Sequence, residues 1–198
     1  MKVFGDIYSG NCYKIRLLLS LLEIKYDWIH VDILKKETQT AEYLQKNPNG
    51  QIPLLELEDG CYLAESNAIL NYLAEGTKYL PSDRFSRAKV LEWQFFEQYS
   101  HEPYIAVARY IARYLGLPED RVREYESKQE RGHKALQVME RQLSQSEFFV
   151  GNELSIADIS LYAYTHVAHE GGFDLQSYPA IREWIERIIA LPNYVAME

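Results

Sequence analysis

The sequence predicts an α/β domain over residues 1–80, with its elements in the order βαβ-ββα, followed by an all-helical domain over residues 81–198. Three observations predict this organisation. Strand-length and helix-length apolar patterns alternate in the first third, turn residues cluster at Leu80–Asp83, and strand patterns disappear after Pro81. A length of 198 residues suits one large domain or two small ones.

The first three elements form a strand–helix–strand unit. Strands are predicted over Lys2–Tyr8 and Trp28–Ile33. The helix between them has an apolar face at helical spacing, and Lys14 and Arg16 lie off that face. The apolar face consists of Ile15, Leu18, Leu19 and Leu22. This order predicts two parallel strands joined by a right-handed crossover.

The next elements predict a hairpin followed by a helix. A short helix is expected around Ala41–Gln45, and the turn Asn47–Gly50 comes after it. A strand over Ile52–Leu57 begins beside a proline and is joined by hairpin spacing to Tyr62–Ala64. A helix then starts at Ser66, and Gly76 is its expected stop.

Helical patterns fill the remaining chain. Pro103 is expected to kink or divide the first of four long helices. Ser155 and Asp158 have the spacing of a helix capping box, with Asp in place of the usual Glu or Gln. The four helices are predicted over Arg84–Leu115, Glu119–Gln145, Ile156–Glu170 and Pro179–Leu191.

Composition excludes several classes of protein. Twenty-one basic against 29 acidic side chains give a formal charge of −8, which argues against nucleic acid as the main partner. The two cysteines, Cys12 and Cys61, are too few for a disulfide framework and favour a cytoplasmic location. No apolar run approaches the roughly 20 residues of a membrane span, so no membrane partner is expected.

The junction between the first strand and helix, Tyr8–Cys12, carries the most informative motif. Ligands of open α/β sheets bind at the carboxyl ends of strands, and a helix N-terminus there stabilises anions, including thiolates. Ser9-x-x-Cys12 has the frame of a Cys-x-x-Cys redox motif with its first cysteine replaced by a hydroxyl. This replacement argues against dithiol chemistry. The alternative is that Ser9 only caps the helix.

Two further pairs are informative through their order. A cis bond at Ile52-Pro53 would turn the backbone of Ile52 outward to pair with an extended peptide, whereas base rates favour an ordinary trans proline. Glu65 and Ser66 start a helix, where Ser66 would cap it and bind a carboxylate and Glu65 would receive an ammonium group.

Together these motifs resemble the glutathione transferase family. The resemblance rests on Ser-x-x-Cys at the first helix, Asn-Pro and Ile-Pro before the third strand, Glu-Ser before the last helix of the α/β domain, and Leu154–Asp158 in the helical part. It covers nearly the whole chain and is closest to the bacterial serine-type branch, which is similar to the theta and delta classes. It implies a thioredoxin-like fold for the amino-terminal domain.

The resemblance also implies roles for individual residues. Ser9 would donate a hydrogen bond to the sulfur of glutathione, and Asn11 could add a second donor. Ile52, before Pro53, would pair with the cysteinyl backbone, and the Glu65–Ser66 pair would hold the γ-glutamyl group.

The glycine end of glutathione is expected near Gln39 and Gln51. Position 51 departs from the family pattern, because lysine is frequent there and this chain has a neutral Gln. In the helical domain, His101, Tyr104 and Arg109 near Pro103 would line the electrophile pocket, or form a solvated or dimer-contact face.

Other residues compete for the sulfur. Tyr8 could be the donor, as in tyrosine-type branches, and Cys12 could form a mixed disulfide with glutathione. A residue inside the first helical turn usually points toward the sheet, which favours a buried Cys12. His166 and His169 have tolerable metal-ligand spacing but lack a third ligand, so no metal is expected.

The predicted function is conjugation of the glutathione thiolate, with glutathione as co-substrate, to a small apolar electrophile in detoxification. The expected partners are these two molecules and a second copy of the chain in a homodimer. Two alternatives remain open. One is a glutathione-dependent disulfide reductase or peroxidase that uses Asn11 or Cys12, and the other is a non-catalytic protein-interaction module.

Overall fold

The four strands of the amino-terminal third form one mixed sheet in the order β2-β1-β3-β4. The computed structural model, which describes residues 1–197, places the strands at Lys2–Gly5 (β1), Asp27–His30 (β2), Leu54–Glu56 (β3) and Tyr62–Ala64 (β4). β1 pairs in parallel with β2, as the strand–helix–strand order predicts. β3 runs antiparallel to both β1 and β4. The thioredoxin-like α/β fold is thus confirmed.

Two strands end earlier than predicted because aspartates start turns beside them. β1 stops at Gly5, where the carboxylate of Asp6 accepts the N–H of Tyr8 at 2.8 Å. After β2, one carboxylate oxygen of Asp32 accepts the N–H groups of Leu34 and Lys35. These side-chain bonds offer the backbone an alternative to the sheet ladder.

Three helices complete this part of the chain. They span Gly10–Leu21 (α1), Ala41–Lys46 (α2) and Ser66–Ala74 (α3). α3 ends just before Gly76, whose φ of +74° is a left-handed conformation that glycine adopts without strain. Gly76 is therefore the helix stop that the sequence predicts.

α1 is buried on nearly every side, contrary to the expectation that Lys14 and Arg16 lie off its apolar face. Both side chains are buried, as are the apolar positions of the helix. The end of the chain covers one side of α1, because Tyr13 donates to the carbonyl of Val195 at 2.8 Å and Ser20 to that of Asn193 at 2.7 Å. The spacing of apolar residues within α1 does not reveal that the end of the chain contacts this helix.

The chain divides into two compact units. One comprises Met1–Glu75 and the chain from Pro192 onward, and the other comprises Gly76–Leu191. The boundary lies a few residues before the predicted one at Pro81. Tyr79 explains the difference, because it is buried and its carbonyl accepts the N–H of Ile156 at 2.9 Å within the second unit.

The second unit is all-helical, as predicted. Its helices are Arg84–Phe96 (α4), Glu102–Arg109 (α5), Val122–Leu143 (α6), Ile156–Thr165 (α7) and Pro179–Ile189 (α8). The first predicted long helix is divided at Pro103: a π-helical turn over Glu97–His101 precedes α5, and a second over Tyr110–Tyr114 follows it. In the described residues no helix is both long and apolar enough to cross a membrane.

α7 is shorter than the predicted Ile156–Glu170. At its end the Thr165 hydroxyl bonds to the carbonyl of Leu161, and the ring of His166 bonds to that of Tyr162, both at 2.7 Å. Side chains thus occupy the carbonyls of the last turn, and the chain continues as a short 3-10 turn over Ala168–Gly171.

Asp158 is the polar centre of the helical unit. It completes the predicted capping box with Ser155, whose N–H it accepts at 2.9 Å. Its other carboxylate oxygen accepts the N–H of Phe149 and the indole N–H of Trp184, each at 3.0 Å. Burial raises the pKa of Asp158, and these hydrogen bonds act in the opposite direction. One carboxylate therefore joins the loop before α7, the start of α7 and α8.

We expect Asp158→Ala to lower the free energy of unfolding by at least about 3 kcal/mol, because three buried N–H donors lose their acceptor. Urea and thermal denaturation followed by circular dichroism measure this change. A loss of this size corresponds to a fall in Tm of about 6–12 °C for a chain of this length.

Asp174→Ala is the matched control, because Asp174 accepts one backbone N–H in an exposed turn. We expect its cost to stay below about 1 kcal/mol. Equal destabilisation by the two variants would contradict the central role of Asp158.

Candidate active site

The turn that follows β1 delivers Ser9 to the N-terminus of α1. The N–H of Ser9 donates to the carbonyl of Asp6 at 3.1 Å, which closes the turn. Ser9 itself has extended dihedrals, and its hydroxyl oxygen accepts the N–H of Cys12 at 3.4 Å. This cap bond uses a lone pair of the oxygen and leaves the hydroxyl proton as a hydrogen-bond donor. Capping and donation to a ligand are therefore compatible at Ser9.

Cys12 is buried beneath this turn. Its side chain is 0% exposed, and a Cβ atom built on Gly5 would come within 2.6 Å of its Sγ. The thiol thus packs against β1, and the glycine leaves room for it. Burial raises the pKa of Cys12 to about 12, and a hydrogen bond from Ser9 opposes this shift only in part. A thiol with this pKa supplies almost no thiolate near neutral pH.

Tyr8 precedes Ser9 in the turn and is 44% exposed. Its backbone N–H is held by Asp6. Tyr8, Ser9 and Asn11 lie at the same end of α1. Each of the three therefore remains a candidate hydrogen-bond donor to the sulfur.

A chain of hydrogen bonds connects the first turns of α1 and α3. The hydroxyl of Ser66 donates to Oδ1 of Asn11 at 3.3 Å, and the ammonium of Lys14 donates to Oγ of Ser66 at 3.2 Å. Asn11 and Lys14 are three residues apart, which places them on one side of α1. The sequence analysis did not identify Lys14 as a site residue. Its spacing of three residues from Asn11, which places both on one side of a helix, was the signal that could have identified it.

Glu65 stands before α3 in a strained conformation. Its φ of +69° and ψ of 114° lie outside the regions that non-glycine residues favour, and such a conformation costs about 1–3 kcal/mol. Its side chain is exposed, whereas that of Ser66 is buried. Strain of this kind persists only where the surrounding structure holds the residue in place, and strained residues cluster at functional sites.

The peptide bond Ile52-Pro53 is cis, the alternative that base rates disfavoured. Pro53 is buried, and half-buried Ile52 packs against a cluster that includes Tyr43 and Leu54. β3 begins at Leu54, so the backbone of Ile52 lies outside the paired registers of the sheet.

The two glutamines occupy different environments. The side-chain amide nitrogen of Gln39 donates to Oγ1 of Thr38 and to the carbonyl of Gly50, each at 3.2 Å, which uses both of its protons. Gln51 is exposed, and its carbonyl accepts from Tyr43 and Asn47, each at 2.8 Å. The Gln51 side chain is thus presented from a firmly held backbone.

In the helical unit, the side chains of His101 and Arg109 are buried. The ring of His101 is 0% exposed and bonds to the hydroxyl of Thr165 at 2.9 Å. Arg109 forms an ion pair with Glu170. Neither side chain reaches an open surface in the part of the chain that the structure describes, and their expected place in an electrophile pocket stays a prediction. Each side chain is paired with a polar residue far along the chain, His101 with Thr165 and Arg109 with Glu170. Local periodicity of the sequence does not reveal such partners.

Tyr104 is half-buried and surrounded by cations. Arg131 donates to its hydroxyl at 2.8 Å, and the Nζ of Lys128 lies 5.9 Å from the centre of its ring. Both basic residues come from α6, and the sequence analysis singled out neither. Tyr104 therefore lies in a positively charged setting.

Metal-binding geometry is not found in residues 1–197, where no group of three His, Cys, Asp or Glu side chains could hold an ion.

The ring of His166 stacks on Tyr162 with a 4.4 Å separation of ring centres. Burial lowers the pKa of His166 to about 4, so the imidazole stays neutral near pH 7.

Comparison with known proteins finds relatives that match nearly the whole chain. A solved glutathione S-transferase from Pseudomonas fluorescens Pf-5 is 62% identical, with a TM-score of 0.98 and coverage of 99% of this chain and 98% of that one. The disulfide-bond oxidoreductase YfcG of Escherichia coli K12 is 31% identical over 197 residues, covering 94% of this chain and 91% of that protein.

A third similar protein is the glutathione transferase URE2P6 from Phanerochaete chrysosporium, solved in complex with oxidized glutathione. It is 25% identical, with a TM-score of 0.85 and coverage of 97% of this chain and 91% of that one.

Two family models match separate parts of the chain. The model for the glutathione S-transferase N-terminal domain matches residues 1–75, and the model for the C-terminal domain of the same family matches residues 104–192. The chain therefore belongs to the glutathione S-transferase family.

Proposed function

We propose that this chain is a serine-type transferase, of the theta- and delta-like bacterial branch, that conjugates glutathione to small electrophiles in detoxification. The observation that carries the proposal is the position of Ser9, whose hydroxyl caps α1 and retains a proton to donate. The N-terminus of a helix carries roughly half a positive charge. Together the hydroxyl and the helix favour the thiolate form of a bound thiol.

The chemical step follows from this activation. The thiolate sulfur attacks an electrophilic carbon, a carbon–sulfur bond forms, and the bond to the leaving group breaks with its electron pair. The thiol proton has already passed to solvent. Ser9 acts as a hydrogen-bond donor rather than a base, and Asn11 adds a second donor near the sulfur.

Glutathione is held along its length by the remaining site residues. Its γ-glutamyl ammonium pairs with the exposed carboxylate of Glu65, and its γ-glutamyl carboxylate meets Ser66 at the start of α3. The backbone of Ile52 pairs with the cysteinyl unit. Gln51 is the better candidate for the glycine carboxylate, because the amide protons of Gln39 are already used.

A second candidate function is reduction of disulfides by glutathione. It is supported by the similarity to E. coli YfcG and by the cations around Tyr104, which suit an anionic substrate. In this reaction one glutathione thiolate attacks a disulfide sulfur and releases a thiolate. A second glutathione thiolate then attacks the glutathione sulfur of the mixed disulfide, which releases the other thiolate of the substrate and yields oxidised glutathione.

The proposed assembly is a homodimer in the cytoplasm. α4 and the turn after it expose Phe95 and Tyr99, which are four residues apart and 60% and 76% exposed. Exposed aromatic residues on one helical face suit a contact with a second copy. The two cysteines are not joined in a disulfide, which suits a reducing compartment.

We expect Ser9→Ala to lower kcat/KM for conjugation of chlorodinitrobenzene by about 10- to 100-fold, because the thiolate loses a hydrogen bond. The pH profile of kcat/KM should move up by about one to two pH units, since loss of the donor raises the pKa of the bound thiol. Steady-state kinetics across pH measure both effects.

Asp83→Ala is the control for the lost helix cap, because Asp83 caps α4 through the N–H of Ser86. We expect it to lose stability without losing activity. An Ser9→Ala enzyme that retains wild-type kcat/KM would refute the assignment of Ser9.

A Cys12→Ala variant tests whether the protein's own buried thiol takes part in either candidate reaction. Because the thiol is buried and protonated, we expect both conjugation and reduction of hydroxyethyl disulfide to stay within about twofold of wild type. Cys61→Ala, which removes the exposed thiol, is the matched control. Selective loss of disulfide reduction in Cys12→Ala would instead favour a redox enzyme that uses Cys12, and failure of the wild type to bind glutathione in calorimetry would favour an interaction module.

We expect Phe95→Glu to convert the dimer to a monomer, because it would bury a charge in an apolar contact. Light scattering after size exclusion should show wild type at twice the chain mass of 23.2 kDa and the variant at that mass. Ile189→Glu on α8 changes another exposed apolar residue and should remain dimeric. A wild type that elutes as a monomer contradicts the proposed assembly.

A further inference from the structure

α5 lies between two π-helical turns and carries one aromatic side chain, that of Tyr104. The helix spans Glu102–Arg109, and the turns on either side of it span Glu97–His101 and Tyr110–Tyr114. π-helical turns occur frequently at functional sites. Tyr104 is half-buried, so its ring is held by the protein while part of it remains open to a ligand.

Two cations from α6 approach the ring of Tyr104. Nη1 of Arg131 donates to the Tyr104 hydroxyl at 2.8 Å, and the guanidinium carbon lies 5.7 Å from the centre of the ring. Nζ of Lys128 lies 5.9 Å from the same centre. Lys128 and Arg131 are three residues apart, which places both on one side of α6, where like charges repel each other.

The carboxylates of α6 leave these two cations without an ion pair. Glu124, four residues before Lys128, has the spacing of a usual partner, but Arg121 binds it at 2.7 Å. Glu130 is adjacent to Arg131, and adjacent residues of a helix do not face each other. In the part of the chain that the structure describes, no carboxylate forms an ion pair with Lys128 or Arg131. Their charges are therefore available to a ligand.

The three side chains present hydrogen-bond donors. The Tyr104 oxygen accepts from Arg131, which leaves the phenol proton to be donated to another group. The guanidinium of Arg131 has further N–H groups, and the ammonium of Lys128 can only donate. Two positive charges and a phenol proton together suit an anion. The planar guanidinium matches the two oxygens of a carboxylate, and the ring of Tyr104 adds apolar surface beside them.

We infer that Tyr104, Lys128 and Arg131 bind the carboxylate of an organic anion, and that the electrophile of the proposed reaction carries this group. Arg131 and the Tyr104 hydroxyl donate to the carboxylate oxygens, and Lys128 adds its charge. The binding site itself stands on the helical unit alone. Its use in conjugation rests on the proposed function and on the expected place of Tyr104 in the electrophile pocket.

Two chloroarenes test the preference for an anionic electrophile. One is 4-chloro-3-nitrobenzoate, and the other is 4-chloro-3-nitrobenzamide, its neutral analogue of similar shape. In both, the glutathione sulfur attacks the carbon that bears chlorine, a carbon–sulfur bond forms, and chloride leaves with the bonding electron pair. Each kcat/KM is divided by the rate constant of the uncatalysed reaction with glutathione, because the two substituents activate the ring differently. On this scale we expect wild type to prefer the benzoate by about 10- to 100-fold.

Variants of α6 assign this preference to individual cations. Arg131→Gln should lower it by about 10-fold, because both the charge and the planar donor pair are lost. Lys128→Gln should lower it by about two- to fivefold, since a charge that acts without direct contact contributes less. Lys134→Gln is the matched control, because it removes a positive charge from an exposed position of the same helix, and it should keep the wild-type preference. The inference fails if wild type shows no preference, or if Arg131→Gln retains it as fully as Lys134→Gln does.

A binding measurement separates failure of this site from failure of the proposed function. In calorimetry without glutathione, we expect wild type to bind 3-nitrobenzoate about 10-fold more tightly than 3-nitrobenzamide, and Arg131→Gln to lose this difference. A wild type that shows this difference but conjugates neither chloroarene supports the anion site and contradicts the proposed function. A wild type that conjugates the benzamide, yet neither binds nor conjugates the benzoate-type ligand better, supports the proposed function and overturns the inference.

Discussion

The contact between Lys14 and Ser66 joins the two helix ends on which the candidate site depends. α1 carries Ser9 at its N-terminus, α3 begins at Ser66, and the buried ammonium reaches from one helix to the other. Two positive helix ends and a cation are held together in one small α/β unit. Most side chains of α1 are buried, and Tyr13 and Ser20 bind the end of the chain by hydrogen bonds, so the helix is held from more than one side.

Two helix N-termini thus lie at the candidate site of a protein whose formal charge is −8. Net charge governs distant attraction, whereas binding of an anion depends on the N–H groups and cations within a few ångströms. Burial of Cys12 keeps the thiol nearest Ser9 protonated near neutral pH. The reactive sulfur of the proposed reaction then has to be supplied by the ligand.

In the helical unit a buried negative charge, rather than a buried ammonium group, connects separate elements. There a buried carboxylate, Asp158, gathers donors from the loop before α7, from the helix end and from Trp184. Only part of this centre could be predicted. Ser155 and Asp158 are three residues apart, which is a local pattern, whereas Trp184 and Phe149 are remote in sequence and reach the carboxylate only through tertiary packing.

Local spacing by itself determined the order of elements, the helix start at Ser9, the stop at Gly76, the division at Pro103 and the capping box, because each depends on residues within about four positions. Tertiary structure alone decided which polar side chains are buried. Lys14 was expected outside the core and His101 and Arg109 beside a pocket, yet all three are buried with partners from elements far away in sequence. The physical reason is that a polar side chain is buried where distant partners satisfy it, and no local pattern contains those partners.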